Sequence, residues 1–227
     1  MNFDENTLRI IHILKSSFLP LLKAGLQYTI PLTLVSFILG LILALATALA
    51  RISNFKPLVL IAKFYVWVIR GTPLLVQLFI IFYGLPAAGI TLNALTAGII
   101  GFTLSVGAYN SETIRAAILS IPRGQWEAAY SIGMTNSQAL RRVIIPQAAR
   151  VSIPPLANSF ISLVKDTSLA AAITVTEMFQ VAQQIVASTY EPLWLYCEAA
   201  LIYLMFCTVL SMLQQKIEKR LQRYVAR

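Results

Sequence analysis

Long apolar stretches, separated by links in which the basic residues collect, restrict this chain more than any other feature. Leu26 to Ala50 contains no charged residue. At ~1.5 Å of helical rise per residue it is long enough to cross a hydrocarbon layer of ~30 Å. Inside such a layer every backbone N–H and C=O must be bonded within the protein, so a run of this kind folds as a helix. Further runs follow at about Leu58–Tyr83, broken by Gly71 and Pro73 and carrying Arg70, and at Ala94–Leu119. Another begins after Pro154-Pro155 and continues to about Val175 with Lys165 and Asp166 inside it, and the last is Leu193–Leu213. The expectation is an all-α membrane protein with about five transmembrane helices. Three parts are expected: an N-terminal amphipathic segment over 1–25, a transmembrane domain over 26–213, and a basic tail over 214–227. Within the first part, Leu8, Ile11, Leu14, Phe18 and Leu22 recur at helical spacing beside Lys15 and Lys23. That pattern predicts a helix lying along the membrane surface.

Composition excludes a soluble alternative, because 12% charged against 58% hydrophobic residues cannot furnish an ordinary solvated surface. The net charge of +9 is spread between the apolar runs. Arg51, Lys56 and Lys63, then Arg123, Arg141, Arg142 and Arg150, then Lys216, Lys219, Arg220, Arg223 and Arg227 fall on one side of the spans. The links Gly84–Asn93 and Thr176–Pro192 hold no lysine or arginine. Basic residues favour the cytoplasmic side, so an N-terminus outside and a C-terminus inside is expected, with Arg9, Lys15 and Lys23 as exceptions. Asp4 and Glu5 stand where a cleavable leader would be basic, so none is expected. Cys197 and Cys207 lie ~15 Å apart along one predicted helix, beyond disulfide reach, and read as small apolar residues. His12 has no partner for metal binding or catalysis.

One long interior stretch is polar: Pro122–Pro146, PRGQWEAAYSIGMTNSQALRRVIIP. Prolines bracket it and tend to end helices. Gln125–Ile132 reads as a helix stopped by Gly133, which can take the left-handed cap conformation. Thr135 with Gln138 three residues later forms a capping box for a second helix. A solvated loop, a DNA-reading helix-turn-helix and a docking helix for a partner protein all suit this pattern. The flanks decide for the third, since both run into membrane-length apolar sequence and leave no soluble three-helix core; no nucleic-acid partner is expected.

Glu127-Ala128-Ala129, Gly133 three residues on, and Val143, Ile145 and Pro146 after nine more resemble the EAA signature of the membrane subunits of ATP-binding-cassette (ABC) importers. Val143 and Ile145 replace the usual Ile and Leu. Arg70-Gly71-Thr72-Pro73-Leu74-Leu75-Val76-Gln77, Ala108-Tyr109 with Glu112 and Arg115, and Lys165-Asp166-Thr167-Ser168-Leu169 extend the likeness. Together they resemble the polar amino-acid uptake permeases from about Gly25 to Leu213. Ser159–Met178 and Ala182-Gln183-Gln184-Ile185 look most like the cystine-transporting branch, beside branches for glutamine, arginine or histidine. The resemblance implies a type I ABC importer transmembrane fold in a bacterial inner membrane. It implies a separate ATP-binding cassette subunit holding ATP and Mg, an extracytoplasmic solute-binding protein, and a second permease copy or a related permease. The coupling residues it implies are Trp126, Glu127, Ala128, Ala129, Tyr130, Gly133 and Pro146.

The residues themselves are consistent with that division of labour. None of the ten glycines is followed by lysine, so no phosphate-cradling loop exists, and no nucleophile meets a base; the chain is not expected to be an enzyme. Trp126 and Tyr130, four apart, share a helix face that could fill a groove in the motor. Glu127 near the helix N-terminus suits the dipole and a basic partner. Charged residues in the spans should face protein or water. Arg70 and Asp166 are candidates for opposite ends of a zwitterionic solute, with Thr167 and Ser168 adding hydroxyls. Lys165, Thr72, Gln77 and Asn110 complete the candidate path. Arg70 could instead pair with Asp166 or Glu112, and Glu112 with Arg115 forms a local pair. The rival class is a secondary transporter driven by an ion gradient, which would be expected to show an internal repeat and intramembrane acids.

Overall fold

The computed structural model describes residues 5–222, with side chains up to Arg220. Arg223 and Arg227 of the basic tail, and the first residues of the N-terminal segment, lie outside the described residues. Among those described, all regular structure is helical: α1 (Glu5–Ala24), α2 (Ile30–Ile52), α3 (Lys56–Gly71), α4 (Leu74–Phe79), α5 (Ala94–Leu119), α6 (Arg123–Ser131), α7 (Asn136–Ala139), α8 (Ile145–Asp166), α9 (Met178–Thr189) and α10 (Pro192–Gln222). The run predicted at Ala94–Leu119 is α5. Two helices, Glu5–Ile52 and Pro192–Arg220, are long and apolar enough to cross a membrane, or up to four if each bent pair counts as one span.

Two expected helix ends, at Gly25 and at Pro146, are absent for one reason. Gly25–Thr29 forms a π-helical turn that joins α1 to α2, so the surface segment and first span are one 48-residue helix. Leu140–Ile144 likewise joins α7 to α8. A proline follows each wide turn by two residues, Pro31 in one case and Pro146 in the other. A π-turn sets the i→i−5 bond, from the Ile30 N–H to the Gly25 oxygen and from Ile145 to Leu140, and relieves the clash that a proline ring makes with a normal turn. Pro146 therefore does not end a helix. Pro154 and Pro155 do not begin one either, for they lie inside α8. That helix tightens into a 3₁₀ turn at Thr167–Ile173 and stops at Thr174, φ 65°. Gly71 and Pro73 do break their run: Thr72 is extended between α3 and α4.

The chain forms two compact units. The first holds the chain up to Phe37, Leu74–Phe102 and Ile161–Met212. Its core joins Leu21 and Ala24 of α1, Met178 and Ala182 of α9, and Ala199 and Ile202 of α10. The second holds Ile38–Pro73, Thr103–Phe160 and the chain from Leu213. There Ala117, Ile118, Ile121, Ile144 and Ala148 form a core flanked by Leu49, Ile52, Ile114 and Trp126. A Cβ on Gly107 would stand 2.6 Å from the Tyr65 hydroxyl and 2.8 Å from Leu43, so glycine is what lets these side chains reach α5. Trp67, Leu60, Ile61 and Ile42 are each 65% or more exposed, an outer surface that suits lipid.

The link Thr176–Pro192, which holds no lysine or arginine, is not a plain connection. It contains the twelve-residue helix α9, whose N-cap is Glu177. Met178, Val181, Ala182 and Ile185 carried the helical spacing that reveals it.

Candidate functional site

The polar segment folds as the capping rules require. α6 starts at Arg123, two residues before the predicted Gln125, with Pro122 as N-cap. At its end the Gly133 N–H donates to the Tyr130 oxygen (2.9 Å) and the Met134 N–H to the Ala129 oxygen (3.1 Å). With Gly133 at φ 78°, this is a Schellman motif. The Gln138 N–H donates to Thr135 Oγ1 at 3.3 Å, and the Thr135 N–H donates to Gln138 Oε1 at 2.9 Å, closing the capping box. The Tyr130 hydroxyl meets Asn136 Oδ1 at 3.0 Å across the turn.

The seven coupling candidates divide by direction. Trp126 is half-buried against the Ile118–Ile144 core of its own unit, 6.3 Å from the Tyr130 ring. Ala129 is 3% exposed and faces the same way. Glu127, Ala128, Tyr130, Gly133 and Pro146 are exposed. Ile132, which the motif did not flag, is 74% exposed beside them. Trp126 and Ala129 therefore hold the helix to its own protein, and Glu127, Ala128, Tyr130 and Ile132 form the outward surface.

Behind this core lies an ionic group. Glu112 accepts from Arg115, through Nε at 3.1 Å and also Nη2, and its other oxygen accepts from Arg51 Nη1. The local Glu112–Arg115 pair is thus present, enlarged by Arg51 from the end of α2. Arg51 stood in the sequence only as a topology charge. Arg70 is not a partner of Glu112; its guanidinium lies 5.3 Å from the centre of the Tyr109 ring, a cation–π arrangement.

The remaining path candidates are scattered by exposure. Thr72 is exposed, with its hydroxyl donating to the Val68 carbonyl at 2.9 Å. Gln77 and Asn110 are 8% and 2% exposed, and Asn110 Nδ2 has no hydrogen-bond partner. Lys165 and Asp166 are exposed at the end of α8. Thr167 is fully buried and donates to the Val164 oxygen (2.7 Å), so it secures the turn rather than offering a free hydroxyl. Ser168 and Lys165 edge an aromatic groove of about 520 Å³ with Phe179, Tyr196 and Tyr203.

Two buried acids escaped sequence reading. Glu177, 0% exposed, accepts from the Tyr203 hydroxyl (2.8 Å), the Gln180 N–H (2.7 Å) and the Thr29 hydroxyl (3.5 Å). Glu198, 8% exposed, accepts from the Ser17 hydroxyl. The Gln180 bond is a local N-cap, but no spacing rule joins Glu177 to Thr29 and Tyr203 or Glu198 to Ser17.

An all-helical membrane chain with a polar helix-turn-helix and no phosphate loop of its own describes a transport subunit. The chain belongs to the family described as the binding-protein-dependent transport system inner membrane component, which it matches over residues 36–223. It is an amino-acid ABC importer permease with the type I fold, and ATP hydrolysis lies on a separate subunit. It is 58% identical over 216 residues, 95% of this chain and 92% of the other, to the L-cystine transport system permease protein TcyB of Bacillus subtilis (strain 168). A crystal structure of an amino acid ABC transporter with histidines superposes with a TM-score of 0.86 at 37% identity, covering 97% of this chain and 100% of that one. The MetNI methionine ABC transporter in an inward-facing form shares the fold at a TM-score of 0.70 and 18% identity, over 96% and 99% of the two chains. The ion-gradient alternative gains no support from these likenesses.

Proposed function

We propose that this chain forms the translocation path of an L-cystine importer. It does so as a homodimer, with an ATPase subunit that holds ATP and Mg and with an extracytoplasmic solute-binding protein. Its N-terminus faces outward and its C-terminus the cytoplasm. The observation that carries the substrate is the 58% identity to an L-cystine permease across 95% of this chain. Glu127, Ala128, Tyr130 and the unflagged Ile132 meet the ATPase. Trp126 and Ala129 root that contact in the core shared with Ile114, Ile118 and Ile144. Gly133 sets the exit of α6, and movement passes through α7 and Pro146 into α8. Arg70, Thr72, Gln77, Asn110, Lys165, Asp166 and Ser168 provide charges and polar groups for a zwitterionic solute, which cannot lose water in a low-dielectric passage without replacement partners.

The test is uptake of labelled L-cystine by proteoliposomes holding the complete complex, with unlabelled glutamine, arginine or histidine as competitors. ATP-dependent cystine uptake that survives an ionophore and resists the competitors is expected. Preferential uptake of a competitor would reassign the substrate. Arg70→Ala and Asp166→Asn should each lower uptake several-fold while the assembled complex melts normally; unchanged uptake removes that residue from the path.

A further inference from the structure

The link from α2 into α3 carries a notch of about 340 Å³ lined by Ser53, Asn54, Lys56, Val59, Leu60 and Lys63. Two ammonium groups, a hydroxyl and an amide can donate into it, and no carboxylate lines it. The sequence offers none nearby, since residues 6–111 contain no aspartate or glutamate. Three cations of that stretch are engaged elsewhere: Arg9 with Glu191, Arg51 with Glu112, and Arg70 against the Tyr109 ring. Lys56 and Lys63 are exposed, with neither an ion pair nor a hydrogen bond among the described residues. Ser53 Oγ accepts from the Phe55 N–H at 3.3 Å, which leaves its own proton to donate.

Helical geometry brings the two lysines onto one face of α3. Seven residues fall ~20° short of two full turns, so they lie ~10 Å apart along the axis with Leu60 between them. Flexible stems let both ammonium groups reach a common anion. The same face then becomes apolar. Leu60 is 70% exposed, Phe64 62% and Trp67 72%, with the last two rings 5.9 Å apart. Donors opening onto an apolar outer surface match a phosphate that carries hydrocarbon. A free anion would use only the first half, and an acidic protein segment would leave the second bare. The notch also follows directly on the first span, at the level where lipid headgroups lie.

We propose that this notch binds the phosphodiester of an anionic phospholipid of the phosphatidylglycerol class, with an acyl chain along Leu60, Phe64 and Trp67. Lys56 and Lys63 hold the phosphate oxygens, and Ser53 and Asn54 donate to the headgroup. The inference needs the membrane setting of the chain, and neither the solute nor the direction of transport. The assay is native mass spectrometry of the complete complex, delipidated in detergent and titrated with phosphatidylglycerol or phosphatidylcholine. One tightly held phosphatidylglycerol per copy of this chain is expected, in preference to phosphatidylcholine. A lysine beside an anionic headgroup is worth about a fivefold factor, so joint Lys56→Gln and Lys63→Gln should weaken retention about tenfold or more. Joint Lys56→Arg and Lys63→Arg should keep the lipid, since the charges remain. Joint Lys216→Gln and Lys219→Gln removes equal charge from the tail and should leave retention unchanged. All should melt like wild type in phosphatidylcholine nanodiscs; if the first pair does not, Lys63→Gln alone, with about fivefold loss, serves the same test. Unchanged retention after loss of Lys56 and Lys63 overturns the proposal. Equal loss in the tail variant also overturns it, because net charge alone would then be at work. Displacement of the lipid by millimolar inorganic phosphate would reassign the notch to a free anion and overturn it likewise.

Discussion

Two short helices interrupt the long ones, and they are held in opposite ways. α6 and its turn into α7 are shaped chiefly by bonds between residues no more than six apart: the Schellman pair, the capping box, and Tyr130 to Asn136. α9 is fixed by distant partners. Thr29 serves both the Glu177 carboxylate and the Met178 N–H, Tyr203 donates to Glu177 from α10, and Arg9 grips Thr189. A locally satisfied helix-turn-helix can shift as a body without leaving its polar groups bare, which suits a part that relays force. A helix whose cap is a buried carboxylate shared among three elements cannot move without unpairing all of them. α6–α7 is suited to movement, and α9 to acting as framework.

The sharpest way to break this contrast is at Glu177. Glu177→Ala would leave the buried Thr29 hydroxyl and the half-buried Tyr203 hydroxyl and Gln180 N–H without the acceptor they share. Loss of about 3 kcal/mol or more is expected, seen as poor membrane accumulation and a depressed melting temperature of the purified complex. Glu177→Gln, which keeps the shape and one acceptor oxygen, should fall between. Melting of Glu177→Ala within about 2 °C of wild type would erase the distinction between framework and relay.

The next largest effect reverses the readouts. Glu127→Lys inverts an exposed charge, and Gly133→Asp puts a side chain where φ is 78°. A Cβ at Gly133 meets nothing within 4 Å, so the penalty is conformational, about 1–2 kcal/mol and confined to the turn. Both variants should insert and melt near wild type yet lose receptor-stimulated ATPase activity and uptake. Retention of both activities would remove α6 from the coupling path.

The same division explains which parts of the molecule are legible in the sequence. Gly133, Thr135 and Gln138 obey rules written in spacings of three to five residues, so the hairpin was legible almost residue by residue. α5 was legible because its apolar run has clear ends. Glu177 shows locally only as the N-cap bonded to the Gln180 N–H; its partners Thr29 and Tyr203, and Ser17 for Glu198, lie far along the chain and leave no local mark. The joins at Gly25 and Pro146 are hidden for a different reason: a π-turn has no simple spacing signature, and proline's usual meaning points the wrong way. At the candidate site the motif gave the segment but not its faces. Burial separates Trp126 and Ala129, which root the helix, from Glu127, Ala128 and Tyr130, which look outward.

The smallest expected effect tests whether α7 truly stands on its own caps. Thr135→Ala removes the acceptor for the Gln138 N–H and should cost about 1 kcal/mol of local stability. Gln138→Ala removes the reciprocal bond to the Thr135 N–H. Because each side chain bonds the other residue's backbone, the two bonds form one device, and the double variant should cost less than the sum of the singles. One kcal/mol is a factor of about five in a local equilibrium, so receptor-stimulated turnover should fall by no more than about fivefold. Thr135→Ser restores the hydroxyl and should restore turnover. The melting temperature of the complex should not follow these changes, since the Ile118–Ile144 core below remains packed. Loss of melting temperature in step with turnover would mean that the α6–α7 hairpin is framework after all, built like α9 and fixed to its unit by more than its own caps.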